Sequence, residues 1–282
     1  MALDVIATKQ IEYQASMLQY LAEEKASDLI DFAEKNLGVK GAEIVTFYRM
    51  GASEVGGSTL NMFADTYTGN GGETDKFEAK IAYVYTSDKI KASDINSTAL
   101  DLESSFIKSL GDALRRNCDK IILDAVAAKT ADLTKMGDAL KTIDDPDNIK
   151  DLIEATALSY EMVDKRSVSE GRAGVALVLD VSQYSKLHRA EMTINANYPR
   201  VNELIGKDML FGCDVVTVAK VCKDPKKMYI IPAGTFGVAS WENDLIAEAW
   251  WEKGQDSLFC MAKRSLGVVV IEPASIIEFS HS

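Results

Sequence analysis

The chain has 282 residues and a formal net charge of −12, and 47% of its residues are hydrophobic and 26% charged. A chain of this length buries about three quarters of its unfolded surface, so it can hold a large core in one or two domains. The apolar content excludes an intrinsically disordered chain, and 4 cysteines are too few for a disulfide scaffold. The acidic balance argues against nucleic-acid binding through broad electrostatic attraction.

We expect neither a membrane span nor a secretory signal. No stretch approaches the roughly 18 consecutive apolar residues of a transmembrane helix, and residues 1–9 lack a basic region followed by an apolar one. The cysteines lie far apart, without the close pairs of a zinc site or a redox motif. We interpret them as four buried thiols in a reducing cytoplasm: Cys118, Cys213, Cys222 and Cys260.

The first elements in the chain are a predicted helix and a short strand. Apolar residues from Ile11 to Ala33 fall near one face of a helix over 11–36, and Gly38 ends it. Residues 42–48 then read as a β run.

Residues 51–86 predict a long two-stranded ribbon. Apolar residues alternate along 76–85, 58–67 is a weaker partner strand, and the glycine-rich stretch 68–75 suits a hairpin tip. The alternating positions are Phe77, Ala79, Ile81, Tyr83 and Tyr85 on one strand, with Leu60, Met62 and Ala64 on the other. A lone two-stranded hairpin is marginal in water, so this ribbon must lie against something else. The alternative is a surface hairpin packed on its own domain.

A long helix and a mixed second half follow. Residues 98–128 predict a helix of about 45 Å at 1.5 Å per residue, with Thr98 and Asp101 as a capping-box-like start. Its apolar face holds Ile107, Leu110, Leu114, Cys118, Ile121 and Ala125. We further predict a helix over 149–164 with Asn148 as N-cap, a buried strand over 174–181, a helix over 182–189, and strands near 213–219, 227–231, 245–251, 257–262 and 268–272. This mixture is α+β.

No catalytic constellation emerges from the sequence. His188 and Cys213 could form a nucleophilic pair, but a helix-surface histidine and a core cysteine explain them better. The aspartates at 144–147 lack the spacing of a calcium loop and suit a turn with a helix cap. Glycines 69–72 precede no Gly-Lys-Ser/Thr, so a hairpin tip fits them better than a phosphate cradle. We therefore predict no catalytic, cofactor or metal site, and no enzyme.

The order of these parts resembles the major capsid proteins of tailed bacteriophages, which share the Hong Kong 97 capsid fold. Three stretches carry the likeness further. Residues 175–180 with 183–187 resemble the family's strand that runs into a short helix, and 204–216 resemble its glycine followed by a strand of valines. Residues 230–237 and 265–273 resemble its closing strands.

The resemblance implies a division of the chain. Residues 1–41 would form an N-terminal arm, and 42–97 an extended loop with a hairpin at about 58–86 and flanking strands. Residues 98–144 would form a peripheral domain with its spine helix, and 145–235 an axial domain. Residues 236–282 would return to the peripheral-domain strands.

The resemblance also implies a function. The protein would self-assemble as hexamers and pentamers into an icosahedral shell around double-stranded DNA, without sequence-specific DNA binding, in the virion and, during assembly, in the host cytoplasm. Its partners would be further copies of itself, a separate scaffolding protein, a portal protein and, where present, a decoration protein. Extended-loop residues expected to contact neighbouring subunits are Leu60, Met62, Phe63, Tyr67, Gly71, Gly72, Phe77, Ile81, Tyr83 and Tyr85. Two alternatives stay open: an encapsulin-like nanocompartment, and an α+β enzyme with a glycine-rich lid.

Overall fold

The computed structural model describes residues 14–19, 27–50, 74–91, 102–164, 174–194, 209–211, 213–242, 244–252 and 257–282. The long helices in this part of the chain are α1 (Leu102–Ala127), α2 (Pro146–Asp164) and α3 (Val181–Ile194). The strands are β1 (Glu34–Val39), β2 (Ile44–Met50), β3 (Thr74–Lys80), β4 (Ala82–Lys91), β5 (Thr134–Met136), β6 (Val175–Leu179), β7 (Met209–Leu210), β8 (Cys213–Thr217), β9 (Lys227–Pro232), β10 (Phe236–Trp241), β11 (Leu245–Glu252), β12 (Ser257–Val270) and β13 (Ile277–Ser280). The predicted α+β class is confirmed.

Strand β12 organises the first sheet. One edge of β12 pairs with β4, from Ser257 opposite Lys91 to Leu266 opposite Ala82. Its other edge pairs first with β11 and then with β10, and β1 lies parallel to β10. Helix α1 packs on this sheet, and Leu114 and Cys118 of α1 are buried in the same core as Ala262 of β12.

The second sheet has the strand order β5-β13-β9-β6-β8-β7. Every residue of β6 is buried, because alternate side chains enter two different cores. Ala176 and Val178 join the core that contains α1, whereas Val175, Leu177 and Leu179 join the core that contains α2 and α3. This two-faced burial explains the continuous apolar run that predicted the strand.

The helix predicted over 11–36 is wrong beyond residue 27. Residues 14–19 are helical, but Asp28–Phe32 is a 3-10 turn, whose first residues are capped by Ser27 through its Oγ, 3.1 Å from the Leu29 backbone N. Glu34–Val39 then becomes strand β1. Its side chains are mostly exposed, so no alternation of apolar residues announced it, and pairing with β10 supplied the strand conformation.

The long helix is confirmed as α1 over its described residues, with one change of face; 98–101 lie outside the described part. The buried face follows the prediction as far as Cys118 and then continues through Ile122 and Val126. Ile121, predicted on that face, is 37% exposed. After Cys118 the next buried residue is four positions on, at Ile122, and not three positions on, at Ile121. This spacing keeps the buried side chains on the helix face that packs on the core.

Helix α2 begins earlier than predicted. Pro146 occupies its first position, where the missing N–H costs nothing, and Asp145 Oδ1 accepts the backbone N–H of Asp147 at 3.0 Å. Asn148 is therefore inside the helix and is not its N-cap. Its fully buried side chain instead accepts a hydrogen bond from the backbone N of Asp138 at 2.8 Å.

The C-terminal third departs from the predicted division in two ways. The strands expected at 257–262 and 268–272 are one continuous strand, β12. Strand β13 does not stay with β10–β12: it pairs with β9 and β5 in the second sheet. The last strand thus joins the sheet that also contains β5, β6 and β9. Helix α3 also extends beyond the predicted 182–189.

A buried polar cluster joins α3 to the last residues of the chain. The Gln183 side-chain Oε1 accepts from the Asp180 backbone N at 2.9 Å and from Lys223 Nζ at 2.7 Å. Its Nε2 faces two backbone oxygens, those of Pro225 and Lys227, so this nitrogen is a donor.

The same Gln183 Nε2 lies 2.7 Å from His281 Nε2, which must therefore be an acceptor. The other ring nitrogen, Nδ1, then carries the proton and donates to the Ser282 main-chain oxygen at 3.1 Å. Burial lowers the pKa of His281, and the charges of Lys223 and Lys186 lower it further against the opposing Asp180. The cluster holds the ring neutral.

Acidification should therefore loosen this cluster. A neutral buried histidine whose folded pKa lies below its unfolded value of about 6.5 stabilises the protein above that value, and the stability is lost as the pH falls toward the folded pKa. We expect the thermal unfolding midpoint to drop between about pH 7 and pH 5, and to drop less in His281→Gln. His188→Gln, at the half-buried histidine of α3, is the control and should follow the original protein. An equal drop of the unfolding midpoint in all three proteins would contradict the conclusion that His281 is held neutral in the folded protein.

Candidate assembly surface

Strands β2 and β3 form a two-stranded ribbon whose base is docked on the first sheet. They pair antiparallel from Ile44 opposite Lys80 to Met50 opposite Thr74, and β3 leads through Ile81 into β4. The partner that the structure describes for the return strand is β2, the short β run predicted at 42–48. The predicted partner, 58–67, lies outside the described residues. Thr74 and Asp75, predicted in the hairpin tip, already belong to β3.

The inner face of the ribbon packs on its own chain. Val45, Phe47 and Ile81 are each at most 6% exposed and share a core with Ala239 of β10. A Cβ on Gly237 of β10 would lie 2.8 Å from the Phe47 ring, closer than carbon atoms approach, so glycine alone lets the ring lie flat against the strand. The ribbon base is held as tightly as any core element.

Polar and aromatic contacts fix the ribbon's direction at its two ends. Arg49 Nη2 of β2 lies 2.8 Å from Glu272 Oε1. At the other end, Trp241 donates its indole N–H to the Ala42 oxygen at 2.7 Å and meets the Tyr83 ring edge-on at 4.8 Å between centroids. Because these contacts hold both ends of the ribbon base, they fix the direction of the ribbon relative to the sheet.

Large apolar side chains that the chain itself leaves uncovered lie on the ribbon strand β2 and on β4, the strand of the first sheet into which the ribbon leads. Ile44 is 51% exposed, Tyr48 57%, Tyr83 43% and Tyr85 64%. We call these four residues the ribbon surface. Single exposed apolar residues are ordinary, whereas two on β2 and two on β4, where the ribbon joins the first sheet, mark a candidate protein–protein contact.

The sequence-predicted contact residues fall into three groups. Leu60, Met62, Phe63, Tyr67, Gly71 and Gly72 lie outside the described residues. Tyr83 and Tyr85 are on the ribbon surface, while Phe77 is half-buried and Ile81 is 2% exposed within its own chain. Ile81 therefore has almost no surface left for a neighbour. The alternation expected through 77–85 breaks at Ile81, after which Val84 becomes the buried position.

Ile44 and Tyr48 are exposed apolar residues that the sequence prediction of contact residues did not include. Their signal was present in the alternation of 44–48, where Val45 and Phe47 are buried and the flanking positions are exposed. The sequence placed this run before the ribbon, because nothing local shows which strand pairs with β3.

The predicted N-terminal arm is largely part of its own chain where the structure describes it. Met17 is 1% exposed in the main core, and Gln14 Nε2 lies 3.4 Å from the Ala249 oxygen. Residues 34–39 are a sheet strand. Residues 34–39 of the predicted arm thus have their strand partner, β10, within the same chain.

The side chains considered for catalysis are not arranged for it. Cys213 is fully buried, and burial raises the pKa of its thiol to about 12, so no thiolate forms near neutral pH. His188 lies 5.7 Å from the Tyr184 ring on α3. Within the described residues, no cluster of three metal-ligating side chains occurs, and no helix is long and apolar enough to span a membrane.

The long helix on a sheet, the docked ribbon and the second mixed sheet together define the Hong Kong 97 capsid fold, as the solved structures show. The chain is similar to a chain of the capsid of cyanophage P-SCSP1u, with a TM-score of 0.62 at 17% identity, over 92% of this chain and 89% of that one. It is similar to the virus-like particle from Pyrococcus furiosus, with a TM-score of 0.62 at 14% identity over 95% and 98%. A capsid chain of an empty GTA particle gives 0.61 at 12% identity over 92% and 91%. No family model and no curated protein sequence matches the chain.

The contact between Phe47 and Gly237 predicts a destabilising substitution. Gly237→Ala should lower the free energy of unfolding by about 1–3 kcal/mol, because the added methyl group overlaps the ring. In a Phe47→Leu background the same change should cost clearly less, which a double-mutant cycle by chemical denaturation measures. Strictly additive costs would show that the ring is not what excludes the methyl group.

Proposed function

We propose that this chain is a structural protein that self-assembles into a closed shell, the head of a tailed phage. The observation that carries the proposal is the fold itself, shared along about nine-tenths of the chain with capsid chains. A likeness of this extent leaves little of the chain for a separate domain with another activity.

The ribbon supports assembly in particular. Its inner face is fully used within the chain, whereas Tyr48 and Tyr85 are more than half exposed. A docked base holds these side chains in place, so little conformational entropy is lost when a neighbour covers them. The ribbon surface is therefore the contact we assign to a neighbouring copy, together with the predicted loop residues 60–72.

Finer features of the proposal come from the family. The shell would be built of hexamers and pentamers around double-stranded DNA, with residues 145–235 in the axial part and α1 in the peripheral part. The net charge of −12 suits a wall that does not hold the DNA it encloses. A scaffolding protein, a portal protein and a decoration protein are the partners proposed during assembly in the host cytoplasm and in the virion.

The second candidate function is a shell that encloses protein cargo instead of DNA. It is favoured by the likeness to the virus-like particle from Pyrococcus furiosus, which covers 98% of that chain. Genes for a terminase or a portal protein beside this one would favour the phage head. Particles from the native host that contain protein cargo and no DNA would favour the compartment.

Expression of the chain, with and without a neighbouring scaffolding gene, tests self-assembly directly. Negative-stain electron microscopy should show closed shells or rings of uniform size. A chain that stays monomeric under every condition would overturn the proposal.

The ribbon surface is tested by the double variant Tyr48→Ser/Tyr85→Ser. Removing two anchors from an interface should reduce the assembled fraction about tenfold or more, measured by size-exclusion chromatography with light scattering. Val221→Ser is the matched control, because Val221 is 71% exposed and lies away from the ribbon. The double variant must keep the far-UV circular dichroism of the original protein. Unchanged assembly in a folded double variant would exclude the ribbon surface as a contact.

A further inference from the structure

The two faces of the first sheet differ in what covers them. Residues directly opposite each other in antiparallel strands share one face of a sheet. The face that includes Leu258, Cys260 and Ala262 of β12 is buried in the core that contains α1. The alternate residues of the same strands point the other way, and we call the face that they form the outer sheet face.

The ribbon covers one half of the outer sheet face, where the sheet carries small residues. Gly237 and Ala239 of β10 lie under the ribbon, next to the Phe47 ring and in the ribbon's core. Gly267 of β12 is directly opposite Ala239, and a Cβ there would lie 3.0 Å from the Lys80 oxygen at the end of β3. The chain therefore passes too close to this half of the face for larger side chains to fit.

The other half of the outer sheet face carries large apolar side chains, and we call it the aromatic half. Trp250 of β11 is 40% exposed and Tyr85 of β4 is 64% exposed, with half-buried Phe259 and Met261 between them on β12. Trp250 is directly opposite Phe259, and their rings lie 4.3 Å apart between centroids. Outward positions on a sheet face that meets water are normally polar. Apolar residues at these positions indicate a face that binds another protein surface.

The charged residues of the aromatic half are divided between the two strands that flank β12. They are Glu248 and Glu252 on β11, Lys263 on β12, and Lys89 and Lys91 on β4. Glu248 pairs with Lys263 within the chain at 3.4 Å. Glu252 and Lys91 are both level with Ser257 of β12, which keeps their backbones on the order of 10 Å apart, and they do not pair with each other. An acidic group on one side and basic groups on the other make the face complementary to itself.

We propose that the aromatic half of the outer sheet face packs against the same face of a second copy, around a two-fold axis parallel to β12. Such an axis places β12 on β12 and β11 of each copy on β4 of the other. Glu252 then meets Lys91 of the second copy, and the contact occurs twice because a two-fold interface is reciprocal. Trp250 meets Lys89 of the second copy, as a cation over an aromatic ring. Phe259 and Met261 form the apolar centre of the interface.

The charges favour this axis over a two-fold axis that runs across the strands. An axis across the strands would place β4 on β4 and β11 on β11, which separates Glu252 from both lysines of β4. The inference rests on the proposed function and deepens it, because it assigns β11 of the neighbouring copy as the strand that covers Tyr85 of the ribbon surface.

Charge reversals test the same-face contact. Glu252→Lys and Lys91→Glu each place like charges opposite each other at both ends of the interface. Each variant alone should raise the protein concentration at which half of the chains are associated about tenfold or more, measured by analytical ultracentrifugation. An equimolar mixture of the two should recover the original association, because the lysines of one variant then meet the glutamates of the other. Glu154→Lys, on an exposed residue of α2, is the matched control and should associate like the original protein.

The mixture distinguishes the same-face contact from contact with another surface. If each reversal weakens association and the mixture does not recover it, the inference is wrong. If both reversals associate like the original protein and form closed shells, the inference is wrong and the proposed function stands. If association is lost and recovered as expected but the original protein never forms shells, the contact stands and the proposed function fails.

Circular dichroism must first show that the variants fold. Glu252→Gln or Lys91→Gln takes the place of a reversal that unfolds the protein, and should raise the half-association concentration about threefold or more. Unchanged association in a folded glutamine variant would overturn the inference.

Discussion

Strand β12 is the constraint on which the rest of this structure depends. Because the strand runs unbroken from Ser257 to Val270, it accepts β4 on one edge and both β11 and β10 on the other. Helix α1 needs that sheet to cover its apolar face. The ribbon needs it as well, since β3 continues into β4 and the inner ribbon face packs on β10. The hydrogen-bonded ladder of β12 therefore sets the positions of helix α1 and of the ribbon.

One face of the ribbon is packed on its own chain, and the other face is free to contact a second copy. Its inner face is part of a core, with Phe47 packed against Gly237, and its outer face leaves Ile44 and Tyr48 exposed to water. The base of the ribbon is therefore packed on its own chain, which is the alternative that the sequence left open for the hairpin. A fixed base lowers the entropy lost on association, which favours specific assembly over loose aggregation.

Hydrogen bonds over long sequence distances decide several details that no local pattern carries. Gln183 joins α3 to Lys223 and to His281, 98 residues further on. Asn148 looked like a helix cap because asparagine before an apolar helix is typical of one, but its amide closes the loop between β5 and α2. Strand β1 escaped detection because its side chains are exposed, so its conformation comes from the backbone of β10 and not from its own sequence.

By itself, the sequence determined the α+β class, the long helix, the buried strand β6 and the strands β8, β9 and β11, because each carries a hydrophobic period that a single element imposes on its own residues. It did not give β10 or β13, and it divided β12 in two. The resemblance that its order of elements suggested is matched by the fold. The tertiary structure alone decided that β2 is the partner of β3, that Ile81 belongs to the core while Tyr85 remains exposed, and that β13 crosses to the second sheet. Strand pairing joins residues far apart in the chain, and a side chain's exposure depends on what lies opposite it, so neither is written in local periodicity.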